Sequence, residues 1–170
     1  MINVKNNFRY FLYKHTPVIL LFTSILNEID FNNLGFKYFS FNFAYILIFY
    51  YSLKRDGGIG YIFIFIAGLF NDVVNGQPMG ISSLCYLLLS AAAVYLRNIT
   101  LRPNMLKDCA FFLITILVLN FINFMTLVIF LNYEMNYFDQ TINIFFTFLL
   151  YIFFSFIFKT YDNLILGKFN

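Results

Sequence analysis

A short polar stretch separates two strongly apolar runs near the middle of the chain. Residues 68–80 read Gly-Leu-Phe-Asn-Asp-Val-Val-Asn-Gly-Gln-Pro-Met-Gly. If both runs are membrane helices, the acid Asp72 lies close to membrane depth, where an ionisable group is costly and needs a reason. Gly76, Pro78 and Gly80 follow it and are typical of a compact turn. This stretch is therefore the best candidate for a functional motif.

The position of Asp72 suggests a specific set of hydrogen bonds. The residue falls at the C-terminal end of one predicted helix, where the helix dipole disfavours a negative charge. The next helix begins just after Pro78, and its unpaired backbone N–H groups form an anion-binding end. We predict that Asp72 folds across the turn and accepts hydrogen bonds from N–H groups of residues 80–83, with Gly76 and Gly80 permitting the tight backbone path. The functional alternative is that Asp72 contacts a partner protein or takes up a proton.

Other residue types offer little for catalysis. His15 is the single histidine, and Cys85 and Cys109 are the only cysteines, so a zinc site lacks ligands. The serines of the fourth apolar run have no His or Lys base at membrane depth, and no P-loop glycine pattern is present. The two cysteines should lie at different depths, too far apart for a disulfide. We expect two buried thiols, no enzymatic activity and no cofactor.

The composition predicts that the bilayer is the solvent. The chain is 61% hydrophobic and 11% charged, with a mean hydropathy of +0.77, whereas soluble domains carry about 25% charged residues. The apolar runs are continuous rather than alternating, which favours helices over a barrel. We predict an all-α, polytopic integral membrane protein in which residues 1–170 form a single membrane domain. The six predicted transmembrane helices cover residues 17–34, 38–53, 59–74, 81–96, 109–131 and 141–158.

The basic residues predict the orientation. With a cytoplasmic N-terminus and six spans, ten of the eleven Lys and Arg residues face the cytoplasm and only Lys37 faces outward. This distribution follows the positive-inside rule, so we expect both termini in the cytoplasm. The ten residues are Lys5, Arg9, Lys14, Lys54, Arg55, Arg97, Arg102, Lys107, Lys159 and Lys168.

Three asparagines fall within the predicted fifth and sixth spans. Asn120 and Asn123, three residues apart, share one helix face, and Asn143 lies early in the sixth span. Such side chains often join membrane helices through hydrogen bonds, and we prefer this structural role. The alternative is that they contact a transported substrate.

The motif resembles a known family. The run Gly68-Leu69-Phe70-Asn71-Asp72, followed by Gly76-Gln77-Pro78-Met79-Gly80, is similar to the signature of the MreD family of bacterial rod shape-determining membrane proteins. Chain length, basic cytoplasmic loops and the place of the motif between the third and fourth spans agree with this resemblance. It implies a non-enzymatic component of the cell-wall elongation machinery in the bacterial inner (cytoplasmic) membrane, with no role in nucleic-acid binding.

The resemblance also implies partners and an alternative. Members of the family bind MreC directly and, through the complex, connect MreB filaments to RodA and a penicillin-binding transpeptidase. The family looks similar in architecture to the substrate-binding subunits of energy-coupling-factor transporters, so the alternative function is a vitamin-type transporter subunit. That alternative requires a ligand-sized outward cavity, of roughly 300 Å³ or more.

An MreC-like partner with one spanning helix needs a surface of small residues that permits close approach. The best candidate is Ala91, Ala92 and Ala93 in the fourth span, next to Ser90, with Ala67 and Gly68 of the third span nearby. The alternative is that these small residues only pack the third helix on the fourth.

Overall fold

The structure is a computed structural model, which describes residues 15–25, 41–55, 57–100, 104–130 and 137–166. Across these ranges it is all-helical, without a strand, as predicted. A short π-helical segment, Thr126–Phe130, continues the fifth helix. The six helices are α1 (His15–Ile25), α2 (Phe43–Lys54), α3 (Tyr61–Val74), α4 (Ile81–Ile99), α5 (Met105–Met125) and α6 (Tyr137–Leu166).

The short helix α2 forms the centre of the fold. All residues of α2 from Ala44 to Leu53 are buried, and the helix packs against α4 on one side and α6 on another. A helix that is apolar all round is stable only where every face is covered. Aromatic side chains fill the space beside it: the Phe49 ring lies 4.9 Å from that of Phe112 and 5.6 Å from that of Tyr151.

Consecutive helices alternate in direction. The start of α1 meets the end of α6, where the hydroxyl groups of Thr16 and Tyr161 lie 3.3 Å apart. The end of α2 meets the start of α5 through Lys54 and Asp108, and Arg97 at the end of α4 donates to the carbonyl oxygen of Ser52 near the end of α2. One end of the bundle therefore contains the starts of α1, α3 and α5 and the ends of α2, α4 and α6.

Helix lengths separate the elements into two groups. Three helices are long and apolar enough to cross a membrane: Ile81–Ile99, Met105–Val128 and Tyr137–Leu164. The other three, α1, α2 and α3, have 10–17 residues, fewer than the roughly 20 that a span needs. Residues 26–40, which include the end of the first predicted span and the start of the second, lie outside the described part of the chain. For α1, α2 and α3, the predicted crossing of the membrane stays a prediction.

Candidate functional site

The α3–α4 turn contains the predicted hydrogen bonds to the Asp72 carboxylate. Asp72 lies in the last turn of α3, with none of its surface exposed. The Gly80 N–H donates to its Oδ2 atom at 2.6 Å, and the Ser82 N–H donates to its Oδ1 atom at 2.9 Å. Its backbone carbonyl accepts from the Gln77 N–H at 2.9 Å. Both carboxylate oxygens thus satisfy backbone groups at the start of α4, and the predicted geometry is confirmed.

The two turn glycines meet a backbone requirement. Gly76 has a φ of 61° and Gly80 a φ of 106°, values that side-chain-bearing residues adopt only with strain. The positive φ at Gly80 turns its N–H toward the carboxylate before the helix begins. Pro78 lies between them in the sequence and is exposed. We call the group formed by Asp72, Gly80 and Ser82 the clasp.

Two side-chain hydrogen bonds join α3 and α4 beside the clasp. The Asn71 amide donates to the Ser82 hydroxyl oxygen at 3.0 Å. The Ser83 hydroxyl donates to the backbone carbonyl of Phe65 at 3.1 Å. Because these groups are part of the helix contact itself, they fix the register of the two helices as well as the turn.

Gly68 has a different role from the turn glycines. A Cβ atom at this position would lie 2.3 Å from the Ser83 Cα and 2.6 Å from the Ser83 nitrogen. The two backbones are therefore in direct contact, and only glycine allows this approach. The Gly-to-Asp spacing of the motif thus places the helix contact one turn before the clasp.

The opposite end of the bundle contains ion pairs that the sequence analysis missed. Lys54 Nζ lies 2.6 Å from Asp108 Oδ2, and Arg55 Nη2 lies 2.8 Å from Asp162 Oδ1. The Arg55 guanidinium also lies over the Tyr51 ring, at 4.6 Å from its centroid. We call this group, together with Arg97, the charged end. It ties α2 to both α5 and α6, so it stabilises the bundle. The five residues of the charged end are Lys54, Arg55, Arg97, Asp108 and Asp162.

A signal for these pairs was available in the sequence. Asp108 and Asp162 are predicted to lie on the same membrane side as Lys54 and Arg55. Asp108 also falls in the first turn of its helix, where the dipole favours an acid. The prediction of the orientation depends on the basic residues alone, whereas the ion pairs depend on the acids beside them.

The Arg55–Asp162 pair should couple strongly because its two side chains are only 9% and 13% exposed. Removing one partner leaves the other charge poorly solvated, so Arg55→Gln and Asp162→Asn should each lower thermal stability. In the double variant the losses should not add. We expect a coupling free energy on the order of 1–3 kcal/mol from a double-mutant cycle in detergent. The matched cycle on Lys54 and Asp108, where Lys54 is 33% exposed, should give a smaller coupling, and equal couplings would contradict the role of burial.

The cysteines and two of the asparagines lie in places that indicate no chemical role. Cys85 and Cys109 are free and buried, as predicted. Asn120 donates to the Ile116 carbonyl of its own helix at 2.8 Å, and the Asn143 Oδ1 atom accepts from Thr147 at 3.4 Å, again within one helix. These two bonds lie within a single helix. A bond between helices is made by Thr147, whose hydroxyl oxygen accepts from the Asn42 N–H at the start of α2, at 2.9 Å.

The three alanines proposed for a partner surface point in different directions. Ala91 is exposed, Ala92 is half-buried, and Ala93 is completely buried. Successive helical residues are about 100° apart, so three consecutive positions do not form one face. Gly68 is not beside them either, because it contacts Ser83, which precedes Ala93 by ten residues in α4. The prediction of one groove from all these small residues is wrong in this detail, and Ala91 alone stays available to a partner.

A small pocket opens at the charged end between the α2–α3 loop and α4. Its volume is about 40 Å³, and Ser52, Gly60, Ser90 and Arg97 are among its lining residues. A space of this size has room for only a few water molecules, so this pocket is far smaller than the roughly 300 Å³ that the ligand of a transporter subunit would need. Within the described ranges, no three His, Cys, Asp or Glu side chains come together as a metal site requires.

The candidate site is therefore the α3–α4 hairpin, in which Gly68 sets the helix contact and the clasp closes the turn. It offers hydrogen bonding and shape rather than a reactive group. In comparisons with protein-family models, curated proteins and solved structures, the chain matched none of them.

Proposed function

We propose that this protein is a non-enzymatic membrane scaffold of the bacterial cell-wall elongation machinery, which binds MreC and helps to determine rod shape. The observation that carries the proposal is the hydrogen bonding of Asp72 to the N–H groups of Gly80 and Ser82. It gives the acid and the following glycines of the MreD-like motif a shared physical role. Gly68, which begins the motif, has a role in the same hairpin.

The proposal includes a topology of six spans with both termini in the cytoplasm of a bacterial cell. The alternating directions of the helices support it, because each helix then crosses the membrane in the direction opposite to that of the helix before it. The charged end also supports it: Lys54, Arg55 and Arg97 lie together there, and basic residues favour the cytoplasmic face. The clasp then lies toward the outer face of the inner membrane. The proposal also includes an architecture like that of the energy-coupling-factor substrate-binding subunits.

The contact with MreC is best supported on one face of α4. Leu84, Leu88, Ala91 and Tyr95 follow one another at intervals of four, three and four residues, and all four are exposed. This spacing places them along one stripe of the helix. Ala91 stands in its middle, where a small side chain lets a partner helix approach closely. In this proposal MreB, RodA and the penicillin-binding transpeptidase are reached through MreC.

Phenylalanine substitutions at Ala91 and Ala93 form a matched test of this face. Ala91→Phe should keep the fold and reduce co-purification with MreC by tenfold or more, on the order of 1.4 kcal/mol, because the ring blocks helix approach. Ala93→Phe should instead destabilise the protein by about 1–3 kcal/mol, because it overpacks a filled interior. The measurements are the yield of MreC in affinity purification and thermal stability in detergent.

Two outcomes would count against the proposal. Normal MreC recovery with Ala91→Phe would exclude this stripe as the binding face. Absence of any MreC binding by the intact protein, together with tight binding of a vitamin-like ligand, would overturn the scaffold function and favour the transporter subunit. Ala92→Phe, at a half-buried position, should give an intermediate result in both measurements.

A further inference from the structure

The apolar height of the bundle differs between its sides. The α3 helix has 14 residues, which corresponds to about 21 Å at 1.5 Å per residue. The apolar parts of α5 and α6, without the charged residues near their ends, cover residues 109–128 and 141–158, or about 30 and 27 Å. A bilayer core is about 30 Å thick. The α3 side is thus about 9 Å too short, whereas α5 and α6 come within about 3 Å of the bilayer thickness.

Most of the α3 surface faces away from the other helices of the bundle. Only Ile64, Ala67, Gly68 and Asp72 are buried in it. Large apolar side chains cover the remaining surface, and the most exposed of them, Ile62, shows 74% of its surface. The exposed apolar residues of α3 are Tyr61, Ile62, Phe63, Phe65, Ile66, Phe70, Val73 and Val74. Such a surface requires lipid chains around it.

Polar groups limit this apolar band at both ends. At the clasp end, α3 stops at Asn75 and Gly76, which are both exposed, and Gln77 follows. At the other end, Gly60 precedes the helix and lines the same small pocket as Arg97 of the charged end. Polar side chains and cations favour the headgroup level. Tilting α3 would only shorten its height further, so tilt does not remove the mismatch.

On the six-span topology proposed above, in which α3 crosses the membrane, we propose that the protein thins the bilayer locally along the α3 face, and that this face selects lipids with short acyl chains. Lipids beside a short apolar element reduce the mismatch by thinning, at a cost that rises with each ångström. Short chains fit the α3 band with less deformation, whereas the long helices α5 and α6 impose no such preference. The protein therefore creates a lateral gradient of membrane thickness around itself.

The absence of tryptophan from the sequence makes a direct test practical. A single tryptophan is introduced by Phe65→Trp on α3 or, as the matched control, by Phe153→Trp on α6; both phenylalanines are exposed. Each purified variant is reconstituted in brominated dioleoyl phosphatidylcholine, which quenches tryptophan on contact. Unbrominated dimyristoleoyl or dierucoyl phosphatidylcholine is then added as a short-chain or long-chain competitor.

On the α3 face, the short-chain lipid should relieve quenching about three times more effectively than the long-chain lipid. The Phe153→Trp variant should show no preference for the short chain. The same ranking of the two lipids on both faces would overturn the proposal, as would a preference for long chains at α3. If α3 and its turn were simply submerged in an undeformed bilayer, the short-chain preference would also be absent. Ile62→Trp replaces Phe65→Trp if that variant fails to fold.

Discussion

Asp72→Leu should be among the most destabilising single substitutions in this chain. It leaves the half-buried N–H group of Gly80 and the buried N–H group of Ser82 without their acceptors. Each such loss costs about 1–3 kcal/mol, so the total should be on the order of 2–6 kcal/mol. For a chain of this size, that corresponds to a decrease of roughly 4–24 °C in Tm. The measurement is thermal unfolding of the purified protein in detergent.

The control is Asp72→Asn, which keeps one carbonyl acceptor and should therefore be milder. Gly80→Val should be about as harmful as Asp72→Leu, because a β-branched residue at a φ of 106° would strain the same turn. The decisive result combines stability with partner binding. If Asp72→Leu keeps normal stability but loses MreC, the carboxylate contacts the partner directly, and the structural clasp is overturned.

The clasp could be predicted from sequence because its logic is local. The acid Asp72 at the end of one helix lies within a few residues of the Gly-x-Pro-x-Gly turn that precedes the next helix. Helix ends leave unpaired N–H groups in any fold, so a nearby carboxylate has an obvious use. The predicted spans 59–74 and 81–96 also agree closely with α3 and α4. Gly68 was recognised as part of the motif, but its contact with Ser83 depends on how two helices cross.

The central place of α2 could not be read from the sequence. A helix surrounded by lipid and a helix surrounded by other helices are both apolar all round. The run 38–53 is therefore predicted as a span like the others, and its composition does not reveal that residues 44–53 are buried inside the bundle. Its pairing with Asp108 and Asp162 is equally non-local, since the three segments meet only after the bundle has formed. Helical periodicity, by contrast, already separates Ala91 from Ala93, and the sequence analysis did not apply it.

Gly68→Ala should be nearly as damaging as Asp72→Leu, although it adds only one methyl group. The new Cβ atom would lie 2.3 Å from the Ser83 Cα, closer than any real contact, so α3 must move away from α4. That movement pulls on the Ser83–Phe65 and Asn71–Ser82 hydrogen bonds and on the clasp. Overpacking typically costs about 1–3 kcal/mol, and the loss of adjacent hydrogen bonds adds to it.

The matched control is Ser83→Ala, which removes only the hydroxyl bond to Phe65 and should cost about 1 kcal/mol. The double variant Gly68→Ala/Ser83→Gly separates two explanations of the damage. Because the close atoms are the Ser83 backbone as well as its hydroxyl, removing the Ser83 side chain should not restore stability. Recovery of the wild-type Tm in the double variant would mean that side chains, not backbones, set the distance between α3 and α4. The requirement for glycine at this position would then be lost, and with it the structural reason for the first residue of the motif.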